Sequence, residues 1–196
     1  MHPALYSLGL AEAMADELED YLLSGELFWP LQRRASPGEP PYPQLSLGGL
    51  FLTLDELDAG ESDLDAAAAA RLQSLRKRLE GLRAKWGAAM RMKAAQELHA
   101  RVNLWGAYLG DLEEGPHSVE LYPQEVRQRV MAARLEDISA DLPEAAPTRR
   151  ALGELDSRLR RRFEPGPLVW DRRLARLYPA SRFWYLYGTP RSGPRD

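Results

Sequence analysis

The sequence predicts an all-α protein that forms a single helical domain over residues 1–196. Apolar residues recur at steps of three and four along most of the chain, as they do on the buried faces of helices. Residues 63–114 contain no proline, and the 44% apolar content can support a buried core. Strand candidates are limited to residues 119–122 and 183–187. We expect about six or seven helices around one long central helix.

The N-terminal region predicts two helices. The first covers residues 8–23, with Ser7 in the capping position before its apolar face. The second follows Ser46 and ends at Gly60, and Ser62 is expected to cap the helix after it.

Between these two helices lies a proline-rich connector, residues 30–45. Four prolines fall within residues 37–43, and proline removes an N–H donor and restrains the residue before it. The pattern therefore predicts an extended surface segment that Trp29 and Tyr42 hold against the body of the protein. The alternative is a polyproline ligand for a partner domain.

Residues 63–114 predict the long central helix. Its first half carries an apolar seam with alternating steps of three and four, formed by Leu72, Leu75, Leu79, Leu82 and Trp86. A straight helix of this length would reach roughly 75 Å, while a compact protein of this size is only about 40 Å across. We expect a kink near Gly87, with a hairpin or a protruding helix that pairs with a second chain as the alternatives.

The C-terminal third predicts three further helices. One has Pro123 at its first position and extends to about residue 140, one starts at a Thr148 cap, and a short one surrounds Leu174. The aromatic segment 183–187 is expected to dock into the core or an interface, because both of its faces are apolar. Residues 188–196 are expected to form a flexible tail.

Charge is strongly segregated along the chain. Residues 1–65 carry 13 acids and two bases, whereas residues 66–110 carry two acids and nine bases. The same contrast recurs between residues 111–147 and 148–196. We expect acidic and basic segments to pack side by side, and the alternative is a basic surface for nucleic acid. The candidate nucleic-acid-binding residues are Arg158, Arg161, Arg162, Arg172, Arg173, Arg176 and Arg182.

No sequence motif predicts catalysis. The chain has no cysteine, and its three histidines occur in no metal-ligand spacing, so no metal and no cofactor is predicted. Gln96, His99 and Asn103 share one helical face and could line a small-molecule pocket or supply a general base. A solvated polar face is the alternative.

The leading functional prediction is a non-enzymatic helical interaction or scaffold protein that forms a homo-oligomer. The acidic N-terminal segment does not resemble a secretory signal, and the apolar run 45–54 is too short to span a bilayer. We therefore expect a cytoplasmic protein with no membrane partner. The preference for arginine over lysine is typical of a GC-rich genome, so a bacterial source is expected.

Overall fold

The computed structural model describes residues 3–114 and 117–191 and is predominantly helical. Five helices exceed ten residues and α4 is a single turn, so the expected six or seven full helices are not matched. The helices are α1 (Pro3–Leu23), α2 (Leu47–Gly60), α3 (Ala66–Glu114), α4 (His117–Glu120), α5 (Tyr122–Ile138) and α6 (Ala146–Arg160).

The chain divides into two compact units, Met1–Glu97 and Leu98–Asp196, where the sequence analysis expects one domain. The boundary falls inside α3, so the first unit holds α1, α2 and the first part of that helix. The second unit holds the remainder of α3, the other helices and a small sheet. A long helix gives no composition break, which is why the sequence does not reveal this division.

The cap of α2 is confirmed, and the expected cap of α1 is wrong. Ser46 has an extended backbone and its hydroxyl accepts a hydrogen bond from Gly49 N at 3.1 Å, as an N-cap does. Ser7 lies inside α1, which begins at Pro3, and its Oγ lies 3.4 Å from Glu56 Oε2 of α2. Proline at the first helical position is the start signal that the prediction missed.

The proline-rich connector is an extended surface segment, as predicted. Trp29 pairs with Leu45 through two backbone hydrogen bonds, and its indole Nε1 donates to Glu17 Oε2 at 2.8 Å. At the other end, the ring of Tyr42 lies 5.4 Å from that of Tyr6. These contacts fasten the connector to α1.

α3 begins after a short 3-10 turn, Glu61–Asp63. Asp65 caps the helix by accepting a hydrogen bond from Ala68 N at 2.8 Å, so the expected cap at Ser62 is wrong. α3 forms no hairpin, but it consists of two helical segments that meet at a kink, where Trp86 has a non-helical backbone with φ −117° and ψ 22°. The backbone therefore bends one residue before Gly87.

In the second unit, α5 and α6 begin earlier than expected. α6 starts at Ala146 rather than after Thr148, because Pro147 occupies its first turn, where a missing N–H costs nothing. α6 buries Leu152 and Leu159, and its Leu155 methyls lie against Gly106 of α3. Residues 119–122, a strand candidate by sequence, are helical or turn.

A two-stranded antiparallel sheet joins β1 (Phe163–Leu168) to β2 (Tyr187–Pro190). β1 was not predicted, because its prolines resemble a loop; proline is tolerated where each strand is an edge. Gly188 has φ +139°, and a Cβ there would lie 2.0 Å from Glu164 O. The close approach of the two backbones therefore requires glycine at this position.

The aromatic segment 183–187 docks into the core, as predicted. Phe183 is 2% exposed, Tyr185 is fully buried and Trp184 is half-buried. The Tyr122 hydroxyl of α5 donates to the carbonyl of Tyr185. The strand β2 continues to Pro190, so order extends into the segment for which a flexible tail was expected, and residues 192–196 of that segment lie outside the described residues.

Candidate interaction surfaces

An acid–base ladder connects α1 to the first half of α3. Its rungs are Glu12 with Arg71, Asp16 with Arg78, and Glu19 with Lys85. The three bases are seven residues apart, so they lie on one side of α3. The partner numbers rise together, which shows that the two helices run parallel. The Lys85 contact holds the pKa of the Glu19 carboxyl below its usual value.

The other side of α3 is neutralised by the end of α2. Arg76 contacts both Asp58 and Glu61, with its Nη2 at 2.9 Å from Glu61 Oε2. Hydrogen bonds from the guanidinium to these carboxylates raise its pKa. In the first unit, acidic and basic segments therefore do pack side by side, and these bases already have partners within the chain.

Between these charged flanks runs the α3 seam, the five apolar residues at alternating steps. Its coverage by the rest of the unit falls along the helix. Leu72 is fully buried and Leu75 is 4% exposed, but Leu79, Leu82 and Trp86 are only half-buried. Leu79 still packs against the core cluster of α1 and α2. The C-terminal half of the seam is thus an apolar surface that the unit covers incompletely.

A charged groove lies where α1, α3 and the connector meet. It consists of two open cavities, of about 440 and 420 Å³. The first is bordered by the first two rungs of the ladder and the second by connector residues, including Pro41 and Tyr42. Arg33 borders both cavities and therefore joins them into one surface, which we call the connector groove.

Arg33 is the surplus cation of this groove. Its guanidinium nitrogens lie 3.6 Å from Glu12 Oε2 and 3.8 Å from Asp16 Oδ2. Both carboxylates have closer partners, since Arg71 Nη2 is 2.6 Å from Glu12 Oε2 and Arg78 also contacts Asp16. Three arginines thus share two carboxylates, and the Arg33 side chain is 46% exposed.

Two charged residues of the first unit are structural. Lys93 is 3% exposed, donates from Nζ to the carbonyls of Ser24 and Glu26 at 2.7 and 2.9 Å, and lies over the Tyr21 ring. Glu97 is fully buried and accepts from Gly48 N at 3.2 Å, in the first turn of α2. The sequence holds a signal for Lys93, which lies seven residues after Trp86 and so continues the spacing of the α3 seam, where an apolar residue is expected; Glu97 does not lie on that spacing.

In the second unit, Arg129 forms the centre of a buried polar cluster that sequence reasoning missed. Its Nε and Nη2 donate to Asp156 of α6 at 2.8 and 2.7 Å, and its guanidinium lies over the Tyr185 ring at 4.6 Å. Nη1 is 4.0 Å from Glu136, too far for a hydrogen bond. Burial raises the pKa of Glu136, partly opposed by Arg129. The cluster connects α5, α6 and the aromatic segment.

Three of the candidate nucleic-acid-binding arginines make contacts within the second unit. Arg158 donates to a backbone carbonyl of α3 at 3.2 Å, Arg173 pairs with Asp171, and Arg182 pairs with Asp137 at 2.6 Å. The carboxylates offset the charge of Arg173 and Arg182, whereas the Arg158 bond occupies one of its donors and leaves its charge in place.

The other candidate arginines differ in exposure. Three of them are exposed on the surface of the second unit: Arg161, Arg172 and Arg176. Arg162 is half-buried. An open cavity of about 480 Å³ runs along α6 beside Arg161, with Arg150, Gly153, Glu154 and Ser157 as its other lining residues. The structure therefore leaves part of the predicted basic surface accessible.

The candidate pocket residues are all on the surface. Gln96, His99 and Asn103 are exposed, and Asn103 Nδ2 lies 3.2 Å from His99 Nε2. An exposed stripe is not the enclosed apolar pocket that a small-molecule site would need.

Two further features bear on the functional class. Within residues 3–114 and 117–191, no group of three or more histidine, aspartate or glutamate side chains has the geometry to hold a metal ion. None of the helices in the described part of the chain is both long and apolar enough to cross a membrane.

No protein-family model, curated protein or solved structure matches this chain. The geometry of its surfaces therefore carries the functional argument.

Proposed function

We propose that the protein is a non-enzymatic, self-associating interaction protein, and that the half-covered end of the α3 seam is its contact surface. The observation that carries the proposal is the change along the seam from buried Leu72 and Leu75 to half-buried Leu79, Leu82 and Trp86. Alternating apolar steps of this kind suit packing against another helix.

The charges beside the seam favour a second copy as the occupant. Bare arginines and lysines at the flanks of two seams would repel each other across an interface. Here Arg76, Arg78 and Lys85 are each paired with carboxylates of their own chain. These pairs lower the electrostatic cost when the apolar surface meets its own copy. The exposed Arg83, next to Leu82, has no ion pair among the described residues and is an unpaired charge at this flank.

The proposal predicts that a charge placed on the seam will prevent self-association. The change is Leu82→Glu, because Leu82 is half-buried and a carboxylate would be desolvated in the interface. The matched control is Met92→Glu, since Met92 is 46% exposed on another side of the same helix. Size-exclusion chromatography with light scattering measures the mass of each variant.

We expect a dimer for the wild-type protein and for Met92→Glu, and a monomer for Leu82→Glu. Circular dichroism serves to verify that both variants keep the helical content of the wild type. A monomeric wild type, or dimers of equal stability for the two variants, would overturn the proposal.

A second candidate function, association with single-stranded nucleic acid, is favoured by one contact in the second unit. The Arg160 guanidinium lies 3.9 Å from the centre of the Trp184 ring. A guanidinium plane held in this way can stack on a base, and the exposed Arg161 and Arg172 could contact phosphates.

Fluorescence titration with single-stranded DNA and RNA at low salt tests this candidate. Binding that Arg160→Gln weakens and Arg83→Gln leaves unchanged would support it, because Arg83 is an exposed arginine of the first unit. The absence of binding at low salt, where electrostatic attraction is strongest, would remove it.

A cytoplasmic location and a bacterial source stay predictions.

A further inference from the structure

We infer that the connector groove binds an extended peptide of a partner protein through an oxyanion side chain, either a carboxylate or a phosphate. The inference rests on the proposed interaction function, but it concerns a different surface from the α3 seam. It therefore does not require that the protein self-associate.

The arginines that line the groove outnumber its carboxylates. Glu12 and Asp16 are each held by one arginine of α3, so the more distant Arg33 adds a positive charge that they do not neutralise. Arg34 follows it along the second cavity, is exposed and has no ion-pair partner among the described residues. Glu39 also lines the second cavity, so the groove has four arginines, including the adjacent Arg33 and Arg34, against three carboxylates.

Packing and hydrogen bonds hold the connector in place beside α1. The Tyr42 ring packs against α1 so closely that a Cβ on Gly9 would lie 2.5 Å from its hydroxyl. Trp29 and Gln32 both bond to Glu17, with Gln32 N 2.7 Å from its Oε1. These contacts fix the connector on both sides of Arg33 and Arg34, so the two guanidiniums are presented from a fastened segment.

The shape of the groove and the chemistry of its arginines favour an extended chain with an oxyanion side chain. Two open cavities joined at Arg33 form an elongated surface, which suits an extended chain better than a compact ligand. A guanidinium binds carboxylate and phosphate oxygens with charge-assisted hydrogen bonds. The exposed Pro41 and the half-buried Tyr42 add apolar contact beside the second cavity.

A nucleic acid is the less suitable occupant of this groove. Its phosphates repeat at short intervals, and Glu12, Asp16 and Glu39 would face some of them. A peptide can place one oxyanion at Arg33 and Arg34 and leave neutral residues beside the carboxylates. The mixed charges of the groove thus favour a sparsely charged chain.

Fluorescence anisotropy with labelled ten-residue peptides tests the inference on the full-length protein. The probes are a peptide with two glutamates in a neutral sequence, the same peptide with one phosphoserine in their place, and a glutamine version. A ten-nucleotide single strand of DNA is the fourth probe. The variants are Arg33→Gln with Arg34→Gln, and Arg83→Gln as the matched control from the exposed surface of α3.

We expect at least one oxyanion peptide to bind, with an affinity that falls as salt is added. The double variant should weaken this binding by about tenfold or more, the effect of losing charge-assisted hydrogen bonds, and the control should leave it unchanged. The tighter of the glutamate and phosphoserine peptides identifies the source of the oxyanion. All substituted side chains are exposed, so the fold should be retained.

Equal binding of the glutamine peptide, binding that the double variant does not change, or no binding of either oxyanion peptide would overturn the inference. So would tighter binding of the DNA strand that the double variant abolishes. Failure of both oxyanion peptides to bind a protein that still dimerises would contradict peptide binding in the connector groove and leave self-association supported. Peptide binding by a protein that is monomeric would support the groove and contradict self-association.

Discussion

At the scale of single residues, the Tyr42 contact of the connector depends on the lack of a side chain at Gly9. A Cβ there would lie 2.5 Å from the Tyr42 hydroxyl, so the end of the Tyr42 side chain would have to shift. The sequence shows a glycine inside a helix, which usually lowers helix stability, but it does not show the contact that requires it.

We predict that Gly9→Ala makes the protein less stable than the matched variant Gly81→Ala. Gly81 is also helical, but a Cβ added there would meet nothing within 4 Å, so alanine should add about 1 kcal/mol through helix propensity. Gly9→Ala should fall below Gly81→Ala by about 1–3 kcal/mol, the usual cost of forcing extra volume into a packed site. Urea unfolding measures both, and equal free energies of unfolding would show that Tyr42 does not pack against Gly9.

Glu136 is a second residue whose environment has a measurable consequence. Burial raises the pKa of its carboxyl in the folded state; Arg129 and Arg182 lower it, whereas Asp156 and Asp137 raise it. The folded protein therefore binds this proton more tightly than the unfolded chain. The contribution of Glu136 to the free energy of unfolding must fall as pH rises through the interval between the unfolded and folded pKa values.

We predict that Glu136→Gln becomes more stable relative to the wild type as pH rises through that interval. Below it, Glu136 is protonated in both states, so the difference between the two proteins should be smallest. Above it, the difference should reach a constant value. Urea unfolding between about pH 4 and pH 8 measures this, with the exposed Glu120→Gln as control. A pH-independent difference would show that the Glu136 carboxyl titrates alike in both states.

At the scale of elements, the buried ion pair between α5 and α6 has two expected roles. The bidentate contact of Arg129 with Asp156 takes two charges out of water, and their mutual attraction offsets that cost. Removal of Asp156 leaves the buried Arg129 guanidinium with Glu136, 4.0 Å from its Nη1, as its remaining carboxylate contact. Removal of both leaves an apolar contact that can be as stable as the original pair.

We predict that Asp156→Ala lowers the free energy of unfolding by about 3–5 kcal/mol. The double variant Arg129→Met with Asp156→Leu should recover most of this loss, because neither charge of the pair then remains, although the Glu136 carboxyl loses its contact with Arg129. Denaturant unfolding of the two proteins and the wild type measures both effects. A double variant as unstable as Asp156→Ala would mean that the pair itself, rather than the avoidance of a lone buried charge, holds α5 to α6.

The elements that the sequence predicted are those with local signals. Ser46 and Gly60 mark the ends of α2 because capping chemistry depends on neighbouring residues alone. The strand β1 could not be predicted, since it forms only by pairing with β2, about 20 residues later in the chain. The early starts of α1 and α6 follow from proline in the first turn, a signal that competes with the serine and threonine further along.

The candidate surfaces were predicted less completely than the fold. The α3 seam is visible in the spacing of Leu79, Leu82 and Trp86, but the degree to which other residues cover it depends on long-range packing that the spacing does not show. The importance of Arg33 and Arg34 depends on long-range contacts of the connector. Arg129 looks like any other charged residue of α5, because the partner that buries it lies on α6.

At the scale of the whole molecule, charge segregation along the chain has a structural explanation in the first unit. The acids of α1, α2 and the turn after α2 pair with bases of α3, as expected for acidic and basic segments that pack side by side. Exposed pairs of this type contribute little stability each, but they reduce the unpaired charge beside the apolar seam, where Arg83 is an exposed base without an ion pair among the described residues. We propose that the protein self-associates through this seam.

Sedimentation equilibrium of the wild-type protein over a wide range of concentrations measures self-association without a variant. A self-associating chain should give a mass that rises with concentration from that of the 22.1 kDa monomer towards twice that value. The Leu82→Glu variant should keep the monomer mass throughout. A wild-type mass equal to that of the monomer at every concentration would show that the protein does not self-associate.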